Sequence, residues 1–261
     1  MTKRGVLVTG AAKRIGAAIA RHLAARHWHV FIHYNRSADE ARALADAIRQ
    51  AGGSCSTLQA DLEIAAEVEG LIPRCVAETG RVDCLINNAA LFSYDKLETL
   101  DWKLWHRHLD ANLSAPAFLA RDFARQLPAD GDGVIINMLD QKVGNLNPDF
   151  LSYTISKAGL RALTEILAMS LAPRIRVVGI APGITLISGN QTQESFERAF
   201  RATPLGRSST LQDIVATVDF ALAVTSLHGQ VITVDGGESL TRRPRDVAFD
   251  VDRKGAPPRD E

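Results

Sequence analysis

The chain has 261 residues, the size of one domain with a large core, because chains of this length bury roughly 70–75% of the surface they expose when unfolded. Lysine plus arginine and aspartate plus glutamate each number 30, so no net positive field draws nucleic acid or an anionic membrane surface. Cys55, Cys75 and Cys84 are odd in number and lack zinc-ligand spacing, which reads as reduced thiols rather than a disulfide framework or metal site.

The amino-terminal stretch MTKRGVLVTGAAKRIG enters an apolar run of only a few residues, far short of a signal segment or of the roughly 20 residues of a membrane span, so a soluble, cytoplasmic protein is expected. That run, GVLVTG, is the first of seven short strand-like runs, most of them rich in Val and Ile; HVFIHY, STLQAD, DCLINNA, GVIINML, IRVVGIAPG and VITVDGG follow. They alternate with longer stretches of helical period, the pattern of βαβ units in a doubly wound parallel α/β sheet, Rossmann-like and built as a single domain.

The first helix shows its buried face as Ile15, Ile19 and Leu23. The second is expected to start at SADE, with Ser37 as cap and Glu40 completing a capping box, and to end at Gly52-Gly53. The helical stretch from Leu97 to Leu127 is long enough to need a break, expected near Pro116, and its Trp102 and Trp105 read as packing residues. No repeat or linker interrupts residues 1–240, read as one domain; residues 241–261 form a charged tail, either partly mobile or docked on a neighbouring subunit.

Gly10 and Gly16 fall at a turn between the first strand and the first helix, where helix N-terminal amides receive a pyrophosphate. At the end of the second strand, where a carboxylate would hold the ribose of NAD, the chain reads HYNRS. His33, Tyr34, Asn35, Arg36 and Ser37 supply no carboxylate, while Arg36 and the Ser37 hydroxyl can hold a 2′-phosphate, so NADPH is preferred over NADH. Further on, Tyr153 and Lys157 stand four residues apart, on one helical face, where the cation is expected to pull the phenol's pKa down from about 10 and ready it for proton exchange. Asp140 lies thirteen residues before that tyrosine.

These motifs resemble the short-chain dehydrogenase/reductase family over most of residues 5–240. The family's turn TGxxxGxG here reads TGAAKRIG, with Arg14 in place of the middle glycine; either the backbone route differs or the guanidinium has a ligand of its own. The resemblance implies that Gly10, Arg14, Ile15, Gly16, Asn35, Arg36, Ser37, Asp61, Leu62, Asn88, Ala89, Lys157, Pro182, Gly183 and Ile184 bind the cofactor. It also implies that Asn112 joins Tyr153 and Lys157 in catalysis by holding a water near the lysine, and that the protein is a homotetramer.

Most of the family has serine at the position of Asp140. A carboxylate disfavours a developing alkoxide but suits a substrate with ring nitrogens and an exocyclic amine, and Asp140, Tyr153 and Lys157 together resemble the pteridine reductase and dihydromonapterin reductase branch. That resemblance implies a pterin substrate held by Arg14 and Phe92 and served by Asp140 and Tyr153, with NQTQESFERAFRATPLGR as a mobile lid and no metal. Two alternatives remain open at the level of sequence. One is a carbonyl or 3-oxoacyl thioester reductase in which aspartate has merely replaced serine, and the other is an NADPH-binding regulatory protein on the same fold.

Overall fold

A computed structural model describes residues 4–188, 191–247 and 249. The first half of the chain runs β1 (Gly5–Val8), α1 (Arg14–Ala25), β2 (His29–Tyr34), α2 (Ala38–Gln50), β3 (Ser54–Gln59), α3 (Ala65–Thr79) and β4 (Cys84–Asn87). Then follow α4 (Trp102–Leu109), α5 (Ala115–Gln126), β5 (Gly133–Met138), α6 (Leu151–Leu171), β6 (Ile175–Pro182), α7 (Gln193–Arg201), α8 (Leu211–Ala223) and β7 (Val231–Val234). All seven expected strands form, and they pair in parallel in the order β3-β2-β1-β4-β5-β6-β7. The order reverses between β1 and β4, and a ligand crevice opens beyond the carboxyl ends of strands at such a switch point.

Alternation along the strands explains why both faces are apolar. Val6, Val8, Val30, Ile32 and Ile136 face the layer holding α1, α2 and α8, where they meet Ile19, Leu23, Leu44 and Ile214. Leu7, Phe31, Leu85 and Ile135 face the other side, against Leu71, Leu119 and Phe123 of α3 and α5. Burying each such side chain contributes about 1.5–3 kcal/mol, so this sandwich is the main source of rigidity for the crevice. The three cysteines are buried and reduced, and desolvation pushes Cys84 up to about 12.

Several local expectations are met. Gly52 takes φ +80° and the amide of Gly53 donates to the Ile48 carbonyl at 2.9 Å, closing α2 as a glycine C-cap should. The long helical stretch is interrupted at residues 110–114, where it widens into a π-turn without leaving helical conformation, just before Pro116, whose missing N–H cannot join the helical ladder.

Others are corrected. Ser37 makes no capping bond and Glu40 pairs with Lys13 at 2.7 Å instead, because the long lysine from the β1–α1 turn reaches over the start of α2. Trp102 is not a packing residue: it is 77% exposed and stacks on His106 at 5.4 Å, since it begins an amphipathic helix on its solvent side. No helix among the described residues is long and apolar enough to cross a membrane.

Candidate active site

A cleft of about 880 Å³ opens at the carboxyl ends of the strands, a size suited to a cofactor-sized ligand. At its β1 end, Gly10 takes φ +61° and a Cβ there would lie 2.8 Å from the Ala89 Cα. A Cβ on Gly16 would collide with the Gly10 carbonyl oxygen and lie 2.6 Å from Asn88 Nδ2. Both positions therefore require glycine. The helix α1 that follows has no side-chain cap and no acid in its first turn, so its first amides remain available to an anion.

Arg14, in the place of the family's middle glycine, adopts φ +56°, so the backbone keeps the left-handed route that glycine would supply. Its guanidinium donates to the Ile187 carbonyl at 2.6 Å and to Ser188 Oγ at 3.4 Å. The arginine thus ties the turn to the segment after β6 while it lines the cleft.

The turn is braced from two sides. The Gly10 amide donates to His33 Nδ1 at 3.0 Å, while His33 Nε2 lies 3.1 Å from the Ala60 carbonyl, which places the ring proton on Nε2. Burial holds that imidazole neutral by lowering its pKa to about 4. From β4, Asn88 Nδ2 donates to the carbonyls of Thr9 (2.8 Å) and Gly10 (3.1 Å), and the Ala89 amide donates to Thr9 Oγ1 at 3.0 Å.

Beyond β2, Asn35, Arg36 and Ser37 line the cleft opposite Asp61 and Leu62. Arg36 is exposed and has no hydrogen bond or ion pair among the described residues, which leaves its charge for an incoming anion. Asp61 Oδ1 accepts from the Glu63 amide at 3.0 Å, fixing the loop after β3. Pro182, Gly183 and Ile184 form the wall beyond β6.

At the opposite end, Tyr153 and Lys157 occupy the first turns of α6 and both are buried. Tyr153 Oη donates to Asp140 Oδ2 at 2.8 Å, and Asp140 Oδ1 accepts the Lys142 amide at 2.9 Å, which aims the carboxylate. Lys157 Nζ donates to the Met138 carbonyl at 2.7 Å, and burial lowers its pKa to about 8 while Asp140 works the other way. The expected lowering of the tyrosine pKa is reversed. Burial and then the charge of Asp140 drive it well above 10, so the resting phenol holds its proton. Asp140 is itself raised, chiefly by burial.

Of the individual catalytic and ligand-binding residues expected from sequence, Asn112 is the one that lies off the cleft. It sits in the π-turn, fully buried, with Oδ1 accepting the Leu91 amide at 2.8 Å and Nδ2 donating to Ser156 Oγ at 3.0 Å. It clamps the segment after β4 to α6, a positioning task. Neighbours that the sequence did not suggest share this work. The Ser152 amide donates to Asp95 Oδ1 at 3.1 Å, which caps α6, and His108 Nδ1 lies 2.6 Å from Ser152 Oγ. No short-range spacing links these residues, so no sequence signal announces them.

Phe92 is 43% exposed, stacks on Phe150 at 4.4 Å and meets Tyr153 edge-on at 4.7 Å. The described part of the tail docks on its own chain rather than extending away. Arg245 makes two 2.7 Å bonds to Asp149, Lys142 Nζ reaches Asp246 at 2.5 Å, and Phe249 stacks on Phe150. Asp246 and Val247 consequently line the cleft, as does Glu238. The stretch expected as a lid forms α7, with Ala199 buried against Val247; its Asn190 lies outside the described residues.

Comparisons with known proteins give the family. Residues 4–198 match the family described as short chain dehydrogenase. The FolM alternative dihydrofolate reductase 1 of Brucella canis, solved in complex with NADP, superposes with a TM-score of 0.89 at 45% identity, covering 94% of this chain and 97% of that one. Pteridine reductase 1 of Leishmania tarentolae is 32% identical over 90% of this chain and 96% of its own length. The 3-oxoacyl-[acyl-carrier-protein] reductase FabG of Staphylococcus aureus is 33% identical over 91% and 98%. With its parallel sheet, its glycine turn and its Tyr153–Lys157 pair, the chain belongs to the short-chain dehydrogenase family of oxidoreductases.

Proposed function

We propose that the protein is an NADPH-dependent reductase that converts a dihydropterin to a tetrahydropterin. The observation that carries this reading is the 2.8 Å bond from Tyr153 Oη to Asp140. A carboxylate at that point repels the alkoxide that would grow from a ketone, whereas an imine nitrogen is basic enough to take its proton before or with the hydride and so passes through no comparable anion.

The cleft fits NADPH. The glycine turn leaves room that a Cβ would fill, the uncapped start of α1 accepts the pyrophosphate, and Arg36 with Ser37 receives the 2′-phosphate. Asp61 and Leu62 would flank the adenine, Asn88 and Ala89 the ribose side of the nicotinamide, and Pro182, Gly183 and Ile184 its outer wall. When bound, NADPH supplies a hydride to the carbon of the substrate's C=N bond.

The protein's own part is the proton. Tyr153 carries it at Oη, kept protonated by burial and by Asp140. As it is given to the substrate nitrogen, the buried Lys157 cation offsets the phenolate left behind, and solvent restores the tyrosine proton by way of Asp140, whose raised affinity for protons lets it take one up and pass it on. Phe92 offers an aromatic face to a flat ring beside Tyr153.

A second reading, a 3-oxoacyl thioester reductase, draws on the 33% identity to the staphylococcal enzyme. Oxidation of NADPH by the purified protein, with dihydropterins and an acetoacetyl thioester as parallel substrates, separates the two. Faster turnover of a dihydropterin supports the first reading, and turnover of the thioester alone replaces it. Exposed Phe118, Ile166 and Met169 on α5 and α6 suit burial against further copies, in keeping with a cytoplasmic homotetramer.

A further inference from the structure

Asp140 and Tyr153 stand at opposite ends of the connection from β5 to α6, so their 2.8 Å bond requires that both ends be held. Each end carries a buried charge. Lys142, 2% exposed, follows Asp140 and aims it through the amide bond to Asp140 Oδ1 at 2.9 Å. Asp149, also 2% exposed, stands just ahead of α6. Among the described residues, the ion-pair partners of these two charges are consecutive residues of the tail. Asp246 Oδ2 accepts from Lys142 Nζ at 2.5 Å, and the Asp246 amide donates to Asp149 Oδ2 at 2.8 Å. Arg245 grips the same carboxylate through Nε and Nη2, each at 2.7 Å. A buried charge stripped of its partner is strongly destabilising, so the tail is part of how the site is built.

The tail also reaches a strained point. Phe150, between Asp149 and α6, adopts φ +56° and ψ +51°, a left-handed conformation that a bulky residue rarely takes and that persists only where neighbours over-determine it. Phe249 of the tail stacks on its ring at 6.1 Å, Phe92 stacks at 4.4 Å, and Lys142 Nζ lies 5.2 Å from the ring centre. The Thr154 amide donates to the Phe150 carbonyl at 2.8 Å, so a shift at Phe150 passes into the helical turn that carries Tyr153.

We propose that Arg245, Asp246 and Phe249 form a strap that pins both ends of residues 140–153, and that they are positioning residues for the proton transfer. The inference rests on the reductase reading for the role of Tyr153 and adds what keeps that tyrosine opposite Asp140. The strap acts through others. Asp246 holds Lys142, which aims Asp140; Arg245 holds Asp149 and Phe249 holds Phe150, which together fix the start of α6. Neither ion pair involves the glycine turn, so cofactor affinity does not depend on the strap.

The test uses the full chain carrying Arg245→Met, Arg245→Lys or Asp246→Asn. Two properties are measured: NADPH oxidation with a dihydropterin, and backbone hydrogen exchange of the protein without ligands. Arg245→Met should lower kcat about 10- to 100-fold, the cost of an ångström-scale misplacement, with the Kd for NADPH unchanged. Exchange at the amides of residues 154–157 should quicken at least about tenfold, while those of β1 and β4 keep their wild-type rates. Arg245→Lys keeps the charge and loses the fork, so it should recover part of kcat and slow that exchange again. Asp246→Asn leaves Lys142 buried with its charge unpaired and should also lower kcat. A raised KM with kcat intact would make the tail a mere wall of the cleft and overturn the positioning role. Unchanged exchange in α6, or faster exchange throughout the sheet with no recovery by lysine, overturns it as well. If the wild type turns over neither a dihydropterin nor an acetoacetyl thioester while α6 loosens selectively in Arg245→Met, the reductase reading fails and the strap stands.

Discussion

At the β1 end of the cleft the groups that face a ligand are amides and small side chains, held by Thr9, His33 and Asn88 through bonds of 2.8–3.1 Å, whereas at the β5 end they are buried ionisable side chains. The first end needs shape. Its demands fall on backbone conformation at Gly10 and on close approach at Gly16, and the one titratable brace, His33, is kept neutral. The second end needs proton placement. Asp140, Tyr153, Lys157 and Glu238 are all displaced from their ordinary pKa values, and each is displaced first by burial. Mutations at the first end should therefore act on cofactor affinity, and mutations at the second on rate and pH dependence.

The largest separation is expected from Tyr153→Phe. Loss of the proton donor should lower kcat about 10²- to 10⁴-fold, while the Kd for NADPH, read by fluorescence titration, stays as it was. A parallel loss of NADPH affinity would show that the two ends are not separable. Gly16→Ala should do the reverse. The added Cβ has backbone on one side and Asn88 on the other, so NADPH binding should weaken by at least about tenfold and stability fall by about 1–3 kcal/mol in urea unfolding.

Arg36→Gln sharpens the account of the first end. It should weaken NADPH about 10- to 100-fold and NADH within about twofold, because only the former presents a phosphate to the unpaired cation. Equal weakening of both would remove the 2′-phosphate assignment.

The smallest effect is a pH-dependent one at the second end. The unfolded chain releases the Glu238 proton near 4.5, and the folded protein holds it to about 8, so between these values the folded state binds more protons and stability falls as pH rises. Glu238→Gln removes that penalty. Its Tm relative to wild type should climb from pH 5 to pH 8, and a constant difference would mean that Glu238 is ionised throughout.

The same contrast explains what could be read from the chain before folding. The strands, the glycine turn, the HYNRS segment and the Tyr153–Lys157 pair are local in sequence, so period and spacing reveal them. The free energies of their side chains are not local. The tyrosine pKa was expected to fall because Lys157 is four residues away, but the sign is set by burial and by Asp140, and burial depends on the whole fold. Glu238 and Gln141 are 97 positions apart, and Arg245 reaches Asp149 across 96, so no spacing rule brings them together. Arg14 shows a middle case. Its place in the turn was legible, while its bond to Ile187 across 173 positions was not.

The central claim is that Asp140 makes the proton donor of this site one for a ring nitrogen rather than for a ketone oxygen. Its most direct test is NADPH oxidation by the wild type and Asp140→Ser, each offered a dihydropterin and an acetoacetyl thioester. The account predicts that dihydropterin turnover is the faster in the wild type and falls at least about 100-fold in the serine variant, with any thioester activity unchanged or improved. Dihydropterin turnover that is indifferent to Asp140, or a wild type that reduces only the thioester, would contradict it.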